Sequence, residues 1–273
     1  MDALRYSRAV FVQPHLDDIA LSCGATVARA ADAGDHPVLV GVCTGPPTPG
    51  QPLGPAVRAL HAKWGLGDDA WRARRGEDER ACAILGATPL WLPYQDAPYR
   101  GYDSFAAVFA GLSADEPLIQ QVANDLLAVW RRTAGAIVYL PLGIGGHVDH
   151  RICHAAGASL EAAGVPVRYY EDFPYAAIPG LVSARLAELA GAYSVERIDV
   201  TASIDRRVQA AAAYASQVAS LFSETSLVPG PIDRAIRRHA GALGGGLPGV
   251  VADASRLAEC FYRRASPQAG DDG

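Results

Sequence analysis

Two short clusters of histidine and aspartate residues could together hold a metal ion. The first cluster runs from Pro14 to Asp18 with the sequence PHLDD, and the second runs from Gly146 to His150 with the sequence GHVDH. Imidazole and carboxylate groups are ligands of zinc, and a catalytic zinc ion keeps three protein ligands and one position open for water. The metal lowers the pKa of that water to about 7, and a nearby carboxylate can then act as a general base. The types and spacing of these residues therefore predict a metal-dependent hydrolase.

Each cluster closely follows a predicted β-strand. Residues 9–12 form an apolar run before the first cluster, and residues 136–140 form another before a glycine-rich turn and the second cluster. Short β-branched runs alternate with alanine-rich helical stretches, which is typical of a parallel sheet covered on both faces. Ligands of an open α/β sheet bind beyond the carboxyl ends of its strands. We therefore predict an α/β fold, a Rossmann-like open and mostly parallel sheet with helices on both faces, which brings both clusters to one crevice.

The predicted elements alternate over most of the chain. Strands are predicted over residues 9–12, 36–43, 89–93, 136–140 and 165–170, and helices over residues 18–33, 72–85, 117–132, 149–163, 181–189 and 204–221. Residues 44–56 contain five prolines and three glycines, which predicts a loop long enough to form a lid or rim. No composition break marks a second domain. We therefore predict a single catalytic domain over residues 1–265 and a disordered tail over residues 266–273.

The composition excludes several function classes. The chain has 273 residues with 24 basic and 29 acidic side chains, a net charge of -5, and 50% of its residues are hydrophobic. This balance gives no general attraction to nucleic acid and leaves enough apolar surface for a large core. No stretch has the length and apolarity of a membrane span, and the N-terminus lacks the layout of a signal peptide, so we expect no stable membrane insertion. The five widely spaced cysteines include no C-x-x-C pair, which favours a reducing, cytoplasmic location.

The paired clusters resemble the motifs of the PIG-L/LmbE-like family of zinc-dependent de-N-acetylases. In that family an early His-Pro-Asp-Asp-Glu motif is followed in mid-chain by His-Pro-Asp-His or a close variant, and here PHLDD and GHVDH stand at the matching places. The resemblance covers most of the chain, including its order of strands and helices. It implies a deacetylase that removes an N-acetyl group from an amino sugar of the N-acetylglucosamine type or from a glycoside carrying one, with secondary-metabolite biosynthesis as one setting. Some members instead cleave mycothiol conjugates, so an amidase acting on thiol conjugates stays an alternative.

The resemblance also implies roles for the residues of the two clusters. The implied metal ligands are two histidines and one carboxylate: His15, Asp18 and His150. Asp17 becomes the general base that takes a proton from the metal-activated water. His147 becomes the electrophile or acid, and Asp149 orients it. The implied metal is zinc, although iron(II) could occupy the same ligands.

A block in the first third of the chain extends the resemblance to the substrate site. Residues 74–77 have the sequence RRGE and precede the pair Leu85 and Gly86, similar to an Arg-x-x-Glu before a Leu-Gly pair in the family. In some members this arginine and a later aspartate hold the sugar. The matching residues here are Arg74 and Asp96.

Three positions depart from the family pattern. Leu16 stands where proline is usual, Ile19 where glutamate is usual, and Gly145 where some members carry a tyrosine. At position 145 a tyrosine contribution to the oxyanion must be absent or come from elsewhere in the chain. These departures bear on the identity of the substrate more than on metal binding.

Two other function classes stay open on the sequence. A non-haem iron(II) oxygenase uses two histidines and one carboxylate, which His15, Asp17 and a distant histidine could supply, but that triad usually lies on a jelly roll of strands. A non-catalytic sugar-binding module would have lost the base or a ligand, whereas all of them are present here. The sequence leaves open the roles of Glu171, Asp172 and His154, the substrate itself and the oligomeric state.

Overall fold

The computed structural model describes residues 3–50, 52–67, 69–113, 116–189, 191–223, 228–247 and 255–265. Within these residues the chain forms one mixed sheet and ten α-helices. The strands are β1 (Ala9–Gln13), β2 (Val38–Gly41), β3 (Thr88–Trp91), β4 (Ile137–Pro141), β5 (Val167–Tyr170), β6 (Tyr193–Asp199) and β7 (Ala258–Arg264). The helices are α1 (Asp18–Asp32), α2 (Pro55–Lys63), α3 (Ala70–Leu85), α4 (Phe105–Val108), α5 (Pro117–Trp130), α6 (Val148–Ala162), α7 (Leu181–Glu188), α8 (Ile204–Ala212), α9 (Ala215–Leu221) and α10 (Ile232–Gly244).

The strand order in the sheet is β3-β2-β1-β4-β5-β7-β6. Strands β1 to β5 pair with one another in parallel, whereas β7 pairs antiparallel with both β5 and β6. The chain first builds the sheet outwards from β1 to β3 and then returns to place β4 on the other side of β1. This reversal opens a crevice between the carboxyl ends of β1 and β4, where ligands of open α/β sheets bind. The predicted α/β fold with an open, mostly parallel sheet is confirmed.

The central strands are mostly apolar because both faces of the sheet are covered. Val10 and Val12 of β1 point into the core beneath α5 and α6, while Phe11 points to the opposite face, which α1, α3, α8 and α10 cover. On that second face the rings of Phe11 and Tyr139 stack with their centroids 4.4 Å apart. Packing on both faces fixes the register between β1 and β4 and so the relative position of the two clusters.

The elements that the sequence analysis did not predict lie mainly at the edge of the sheet and around the crevice. Strands β6 and β7, together with helices α2, α4 and α10, had no predicted counterpart. The helix predicted over residues 204–221 is divided into α8 and α9, because Tyr214 has a non-helical backbone and buries its ring, with its hydroxyl donating to Asp78 Oδ1 over 2.6 Å. A long-range contact therefore ends α8 where the local sequence would continue it.

The limits of the predicted domain stay a prediction. The tail predicted over residues 266–273 lies outside the described residues. In the part of the chain that the structure describes, no helix has both the length and the apolar character that crossing a bilayer would require.

Candidate metal centre

The two clusters meet at the crevice between β1 and β4. His15, Asp17 and Asp18 follow β1 directly, and His147 and His150 stand at the start of α6, after the glycine-rich turn that leaves β4. The rings of His15 and His150 have centroids 5.3 Å apart, and those of His15 and His147 are 4.6 Å apart. The parallel pairing of β1 with β4 therefore brings together residues that are more than 130 positions apart in sequence.

His15 is held by carboxylates on both edges of its ring. Its Nε2 lies 2.9 Å from Asp149 Oδ2 and 3.3 Å from Asp96 Oδ1, while its Nδ1 lies 3.6 Å from Asp18 Oδ2. Burial lowers the pKa of His15, but the neighbouring negative charges, led by Asp96, outweigh it and raise the pKa well above its ordinary value. This surplus of negative charge around one imidazole is what a cation bound between these groups would balance.

His150 is oriented in the same way by Asp172. Its Nδ1 lies 2.7 Å from Asp172 Oδ1, and its Nε2 lies 3.4 Å from Asp18 Oδ1. The second oxygen of Asp172 accepts hydrogen bonds from the backbone amides of Gly143 and Ile144. Because an ionised carboxylate can only accept, Nδ1 of His150 carries a proton, and in the neutral ring the lone pair is on Nε2, on the side of Asp18.

The chemistry of these donors fits a divalent metal ion. A ligating histidine typically donates its other ring N–H to a carboxylate, which Asp149 accepts from His15 and Asp172 from His150. Both histidines then present their remaining nitrogen to Asp18. His15 and His150 also form a compact group with His147, and a second group combines His15 with Asp96, His147 and Asp149; within each group the donor atoms lie within 4.8 Å of one another.

Asp17 lies beside the candidate ligands and faces Arg74. Its backbone φ is 135°, in the region that favours glycine, so the residue is held in a conformation that costs of order 1–3 kcal/mol. Its Oδ2 lies 3.7 Å from Arg74 Nη2. Burial raises the pKa of Asp17 to about 7, against the opposing charge of Arg74. A carboxyl group with a pKa in this range is suited to accept and return a proton near neutral pH.

His147 is neutral in this environment. Burial, reinforced by the positive charges on His15 and His150, lowers the pKa of His147 to about 3. Its Nδ1 accepts a hydrogen bond of 3.2 Å from the backbone amide of Asp149. The proton of the neutral ring is therefore on Nε2, which makes the side chain a hydrogen-bond donor and not a charged acid.

Asp149 has a different partner from the one that the resemblance implied. Its carboxylate accepts from His15 Nε2, from the backbone amide of Ala97 over 3.0 Å and from Arg100 Nη2 over 2.7 Å. Burial raises the pKa of Asp149, but the hydrogen bond from His15 and the charge of Arg100 lower it below its usual range. The carboxylate therefore holds His15, while the backbone amide of Asp149 donates to His147.

The two residues expected to hold a sugar lie side by side on the wall of the crevice. Arg74 donates from Nη2 to the carbonyl of Leu16 over 2.7 Å, and its guanidinium lies 4.8 Å from the centroid of the Trp64 ring. Asp96 Oδ2 is 4.0 Å from Arg74 Nη1. Burial raises the pKa of Asp96, but the charge of His15 and its hydrogen bond lower it overall. A cation and an anion placed together in this way can serve as donor and acceptor for hydroxyl groups.

The crevice contains a cavity of about 220 Å³ that is lined by the candidate ligands, Asp17, Arg74, Asp96 and His147. The sequence analysis assigned no site role to the remaining lining, which comes from Leu21, from Leu60 and Lys63 of α2 and the following Trp64, from Pro98, from residues 173–175 and from α9 (Gln217, Ser220 and Leu221). No local motif marks these residues, because separate elements carry them to the crevice. Larger cavities of about 430 and 460 Å³ lie against the proline-rich loop and contain none of the candidate ligands.

Tyr175 occupies the space over Gly145. Gly145 has φ +84°, and a Cβ at this position would lie 2.6 Å from the Tyr175 ring. A tyrosine at position 145 therefore could not fit beside Tyr175, whose own ring lines the cavity. An aromatic ring thus reaches the crevice from another part of the chain.

The three residues whose roles the sequence left open, Glu171, Asp172 and His154, differ in whether they contact a candidate ligand. Asp172 contacts His150 directly, as described above. Glu171 instead accepts a hydrogen bond of 2.8 Å from the Tyr262 hydroxyl, and its Oε2 lies 3.4 Å from His239 Nε2. His154 Nδ1 lies 3.2 Å from the carbonyl of Pro141, and its ring packs on Tyr169. The positions of these three residues in the sequence did not show which of them contacts a candidate ligand.

Comparisons with known proteins agree with this geometry. Residues 10–161, more than half of the chain, match the PIG-L family, described as GlcNAc-PI de-N-acetylase. The chain is 30% identical over 229 residues to 2'-N-acetylparomamine deacetylase of Streptomyces fradiae, covering 79% of this chain and 75% of that protein. It is 33% identical over 186 residues to 1D-myo-inositol 2-acetamido-2-deoxy-alpha-D-glucopyranoside deacetylase of Rhodococcus opacus (strain B4), covering 63% of this chain and 58% of that protein. Among solved structures, the zinc-inhibited form of a teicoplanin deacetylase superposes with a TM-score of 0.78 at 26% identity, covering 98% of this chain and 100% of that one.

Proposed function

Because the chain belongs to the PIG-L family of de-N-acetylases, we propose that it is a metal-dependent deacetylase that removes the N-acetyl group of an amino sugar carried by a small molecule. The chain is an amide hydrolase of the deacetylase type, like its relatives. One observation supports the metal-dependent mechanism more than any other. His15 and His150 are each held by a carboxylate and turn their second nitrogen to Asp18, beside the strained Asp17.

The names of the relatives support an amino-sugar substrate. One is named for 2'-N-acetylparomamine and another for an acetamido-deoxyglucopyranoside of inositol. The paired Arg74 and Asp96 on the wall of the cavity offer a donor and an acceptor for sugar hydroxyls. Relatives of this kind, together with structural neighbours from teicoplanin biosynthesis, favour a substrate in secondary-metabolite biosynthesis.

Zinc is the metal that we propose, with His15, Asp18 and His150 as its ligands. Two imidazoles and one carboxylate are a common catalytic set for this ion. When bound, zinc supplies a Lewis acid that polarises a carbonyl group and lowers the pKa of a water molecule. Iron(II) accepts the same ligand types, and elemental analysis of the purified protein distinguishes the two metals.

The chain's own residues supply the proton transfers and the hydrogen bonds. Asp17, with its pKa near 7, accepts the proton of the attacking water and returns it to the departing amine, so that acetate and the free amino sugar are formed. His147 donates from Nε2 to the oxygen of the acetyl group, on which negative charge develops. Arg74 and Asp96 orient the sugar so that its acetamido group faces Asp17.

The first experiment measures metal content and acetate release together. We expect about one zinc per purified chain and release of acetate from one or more of a panel of N-acetylated amino-sugar glycosides. Chelation should abolish the release, and zinc added back to one equivalent should restore it. Because one structural relative is described in a zinc-inhibited form, the titration extends above one equivalent. A metal-free chain that stays inert with zinc and with iron(II) would contradict the proposal.

The role of Asp17 is tested by Asp17→Asn. We expect kcat to fall by about 10²- to 10⁴-fold, because the amide cannot accept the proton, while the zinc stoichiometry stays unchanged. The matched control is Asp199→Asn, which removes a partly exposed carboxylate at the far end of β6 and should leave kcat unaltered. A retained kcat in Asp17→Asn would assign the base to another residue.

Two alternatives are included in the same panel. Amide-linked thiol conjugates of the mycothiol type test for a thiol-conjugate amidase, which uses the same hydrolytic chemistry on a different substrate. A sugar-binding module without activity would bind panel members and release no acetate. An iron(II) oxygenase is disfavoured by the family match and by a fold that is not a jelly roll.

A cytoplasmic location is part of the proposal. The five cysteines are all free and buried, with none paired in a disulfide, which suits a reducing compartment. The expected partner is a small molecule, with no nucleic acid and no stable membrane insertion, in keeping with the net charge of -5.

A further inference from the structure

The buried carboxylate of Asp149 is fixed from three directions. It accepts from His15 Nε2 over 2.9 Å, from the Ala97 amide over 3.0 Å and from Arg100 Nη2 over 2.7 Å. Its side chain has no solvent exposure. The position of this one carboxylate therefore depends on groups outside both histidine and aspartate clusters.

The partners from outside the clusters come from a single turn of 3-10 helix over Ala97–Arg100. The amide of Ala97 at its start and the guanidinium of Arg100 at its end bind the two oxygens of the same carboxylate. Arg100 is itself anchored, because its Nη1 donates to the carbonyl of Gln95 over 2.6 Å. The guanidinium thus connects the backbone before the turn to the carboxylate behind the metal centre.

The three hydrogen bonds that fix the Asp149 carboxylate decide which nitrogen of His15 faces the candidate metal position. Asp149 can only accept a hydrogen bond, so the proton of a neutral His15 ring lies on Nε2. Nδ1 is then left with its lone pair, on the side of Asp18. If Asp149 moved or turned, the His15 ring would lose both its orientation and its preferred tautomer.

We infer that Arg100 is a positioning residue of the metal centre, which acts through Asp149 on His15. This inference rests on the proposed metal-dependent function. Arginine suits the task because its planar fork reaches the Gln95 carbonyl and the Asp149 carboxylate at the same time, whereas a lysine ammonium is a compact point charge. Nothing in the motifs of the two clusters identifies Arg100, which reaches them only through this contact.

A purely structural role for Arg100 makes a different prediction. An arginine that only neutralises a buried carboxylate would affect the stability of the metal-free protein and leave the affinity for zinc unchanged. A positioning residue changes the affinity for zinc in protein that is fully folded. Zinc affinity is therefore the informative measurement, with the melting temperature of each metal-free variant recorded beside it.

The test is the zinc dissociation constant of Arg100→Gln, measured on the full chain by competition with a chromophoric chelator. We expect affinity to weaken by about 10- to 100-fold, the usual effect of losing a residue that orients a metal ligand. The matched control is Arg168→Gln, which removes an arginine that pairs with Glu196 at 2.8 Å on the surface and should not alter zinc affinity. Unchanged affinity in Arg100→Gln would overturn the inference.

A double-mutant cycle tests whether Arg100 acts through Asp149. In the background of Asp149→Asn, the further change Arg100→Gln should weaken zinc binding by less than about twofold. The reason is that Arg100 acts through the Asp149 carboxylate, which this variant no longer has. Full additivity of the two effects would also overturn the inference. Arg100→Lys, which keeps the charge, should lose less affinity than Arg100→Gln, and it replaces that variant in the test if Arg100→Gln does not fold.

These outcomes separate the inference from the function on which it rests. A wild-type chain that binds neither zinc nor iron(II) would contradict the proposed function and this inference together. A wild-type chain that binds zinc, with equal affinity in Arg100→Gln, would leave the proposed function standing and remove only the role of Arg100.

Discussion

The adjacent aspartates Asp17 and Asp18 have different neighbours, which suits the different roles that we propose for them. Asp18 accepts a hydrogen bond from the His15 backbone amide over 2.8 Å and faces the ring nitrogens of His15 and His150. Asp17, turned away by its unusual backbone, faces Arg74 and keeps a raised pKa. Pairs of titratable groups with separated environments are typical of acid and base assignments in enzymes. Identical side chains can therefore serve as ligand and as base.

At the same scale, Asp172 is expected to control metal affinity without touching the metal. It orients His150 and is itself fixed by two backbone amides. We expect Asp172→Asn to weaken zinc binding by about 10- to 100-fold, because the amide cannot hold the same His150 tautomer as firmly. Chelator competition on the folded variant measures this change.

The control for Asp172 is its neighbour Glu171. Glu171 is also a buried carboxylate at the end of β5, but it contacts Tyr262 and His239 and none of the candidate ligands. Glu171→Gln should keep the wild-type affinity for zinc. Equal losses in the two variants would mean that general charge at this end of the sheet, and not the contact with His150, controls binding.

At the scale of elements, helix α1 matters because its first turn carries Asp18. The helix is interrupted at Cys23, whose φ of -143° and ψ of 29° are not helical. A break inside a helix leaves backbone groups without their usual partners. Those groups need other partners, since the segment is buried against the sheet.

A buried ion pair satisfies the groups at this break. Arg207 of α8 donates to the carbonyl of Leu21, which in a regular helix would accept from the amide of Ala25. The amides of Ala25 and Thr26 donate instead to the carboxylate of Glu259 on β7, over 3.1 and 2.8 Å. Arg207 and Glu259 are also paired with each other at 3.1 Å. Two elements distant in sequence therefore set the direction of the turn that carries Asp18.

We expect Glu259→Gln to lower the free energy of unfolding by about 3–5 kcal/mol, because it leaves the guanidinium of Arg207 buried without its counter-charge. Guanidinium chloride denaturation measures the change. The matched control is Glu196→Gln on β6, whose partner Arg168 lies at a similar distance of 2.8 Å but on the surface. That variant should change stability by less than about 1 kcal/mol. Comparable losses in both variants would rule out burial as the cause.

At the scale of the whole molecule, the candidate metal centre joins two distant parts of the chain. Its candidate ligands follow β1 and β4, which are neighbours in the sheet but are separated by β2, β3 and five α-helices in sequence. The crevice lies where the order of strands reverses. A metal ion bound there would bridge these parts in the folded state only.

This arrangement predicts that metal removal lowers thermal stability. A ligand at about 100 times its dissociation constant stabilises the folded state by about 2.7 kcal/mol, which for a chain of this size corresponds to roughly 5–10 °C in Tm. Calorimetry with and without chelator, at one scan rate, measures the shift. In His150→Ala the chelator should have no effect on Tm. A chelator-sensitive Tm in that variant would place the metal on other ligands.

The sequence predicts the centre of this molecule better than its edge. The central strands are continuous apolar runs because helices cover both faces, and such runs are visible in a single sequence. Strand β6 at the edge is largely exposed and carries no apolar run, and β7 places the charged Glu259 in a buried position. Their pairing depends on partners far along the chain, so local patterns did not reveal them.

The sequence alone determined the residue types of the candidate centre and their place after two strands. A strand that ends in a short turn before a helix leaves its last polar residues at the crevice, so a local motif is enough to specify them. Only the tertiary structure decided which nitrogen each histidine presents, that Asp149 holds His15, and that Arg100 and Asp172 stand behind the ligands. These contacts join residues that are 134, 49 and 22 positions apart. Orientation of a buried side chain is set by whatever packs against it, and the fold alone brings those groups together.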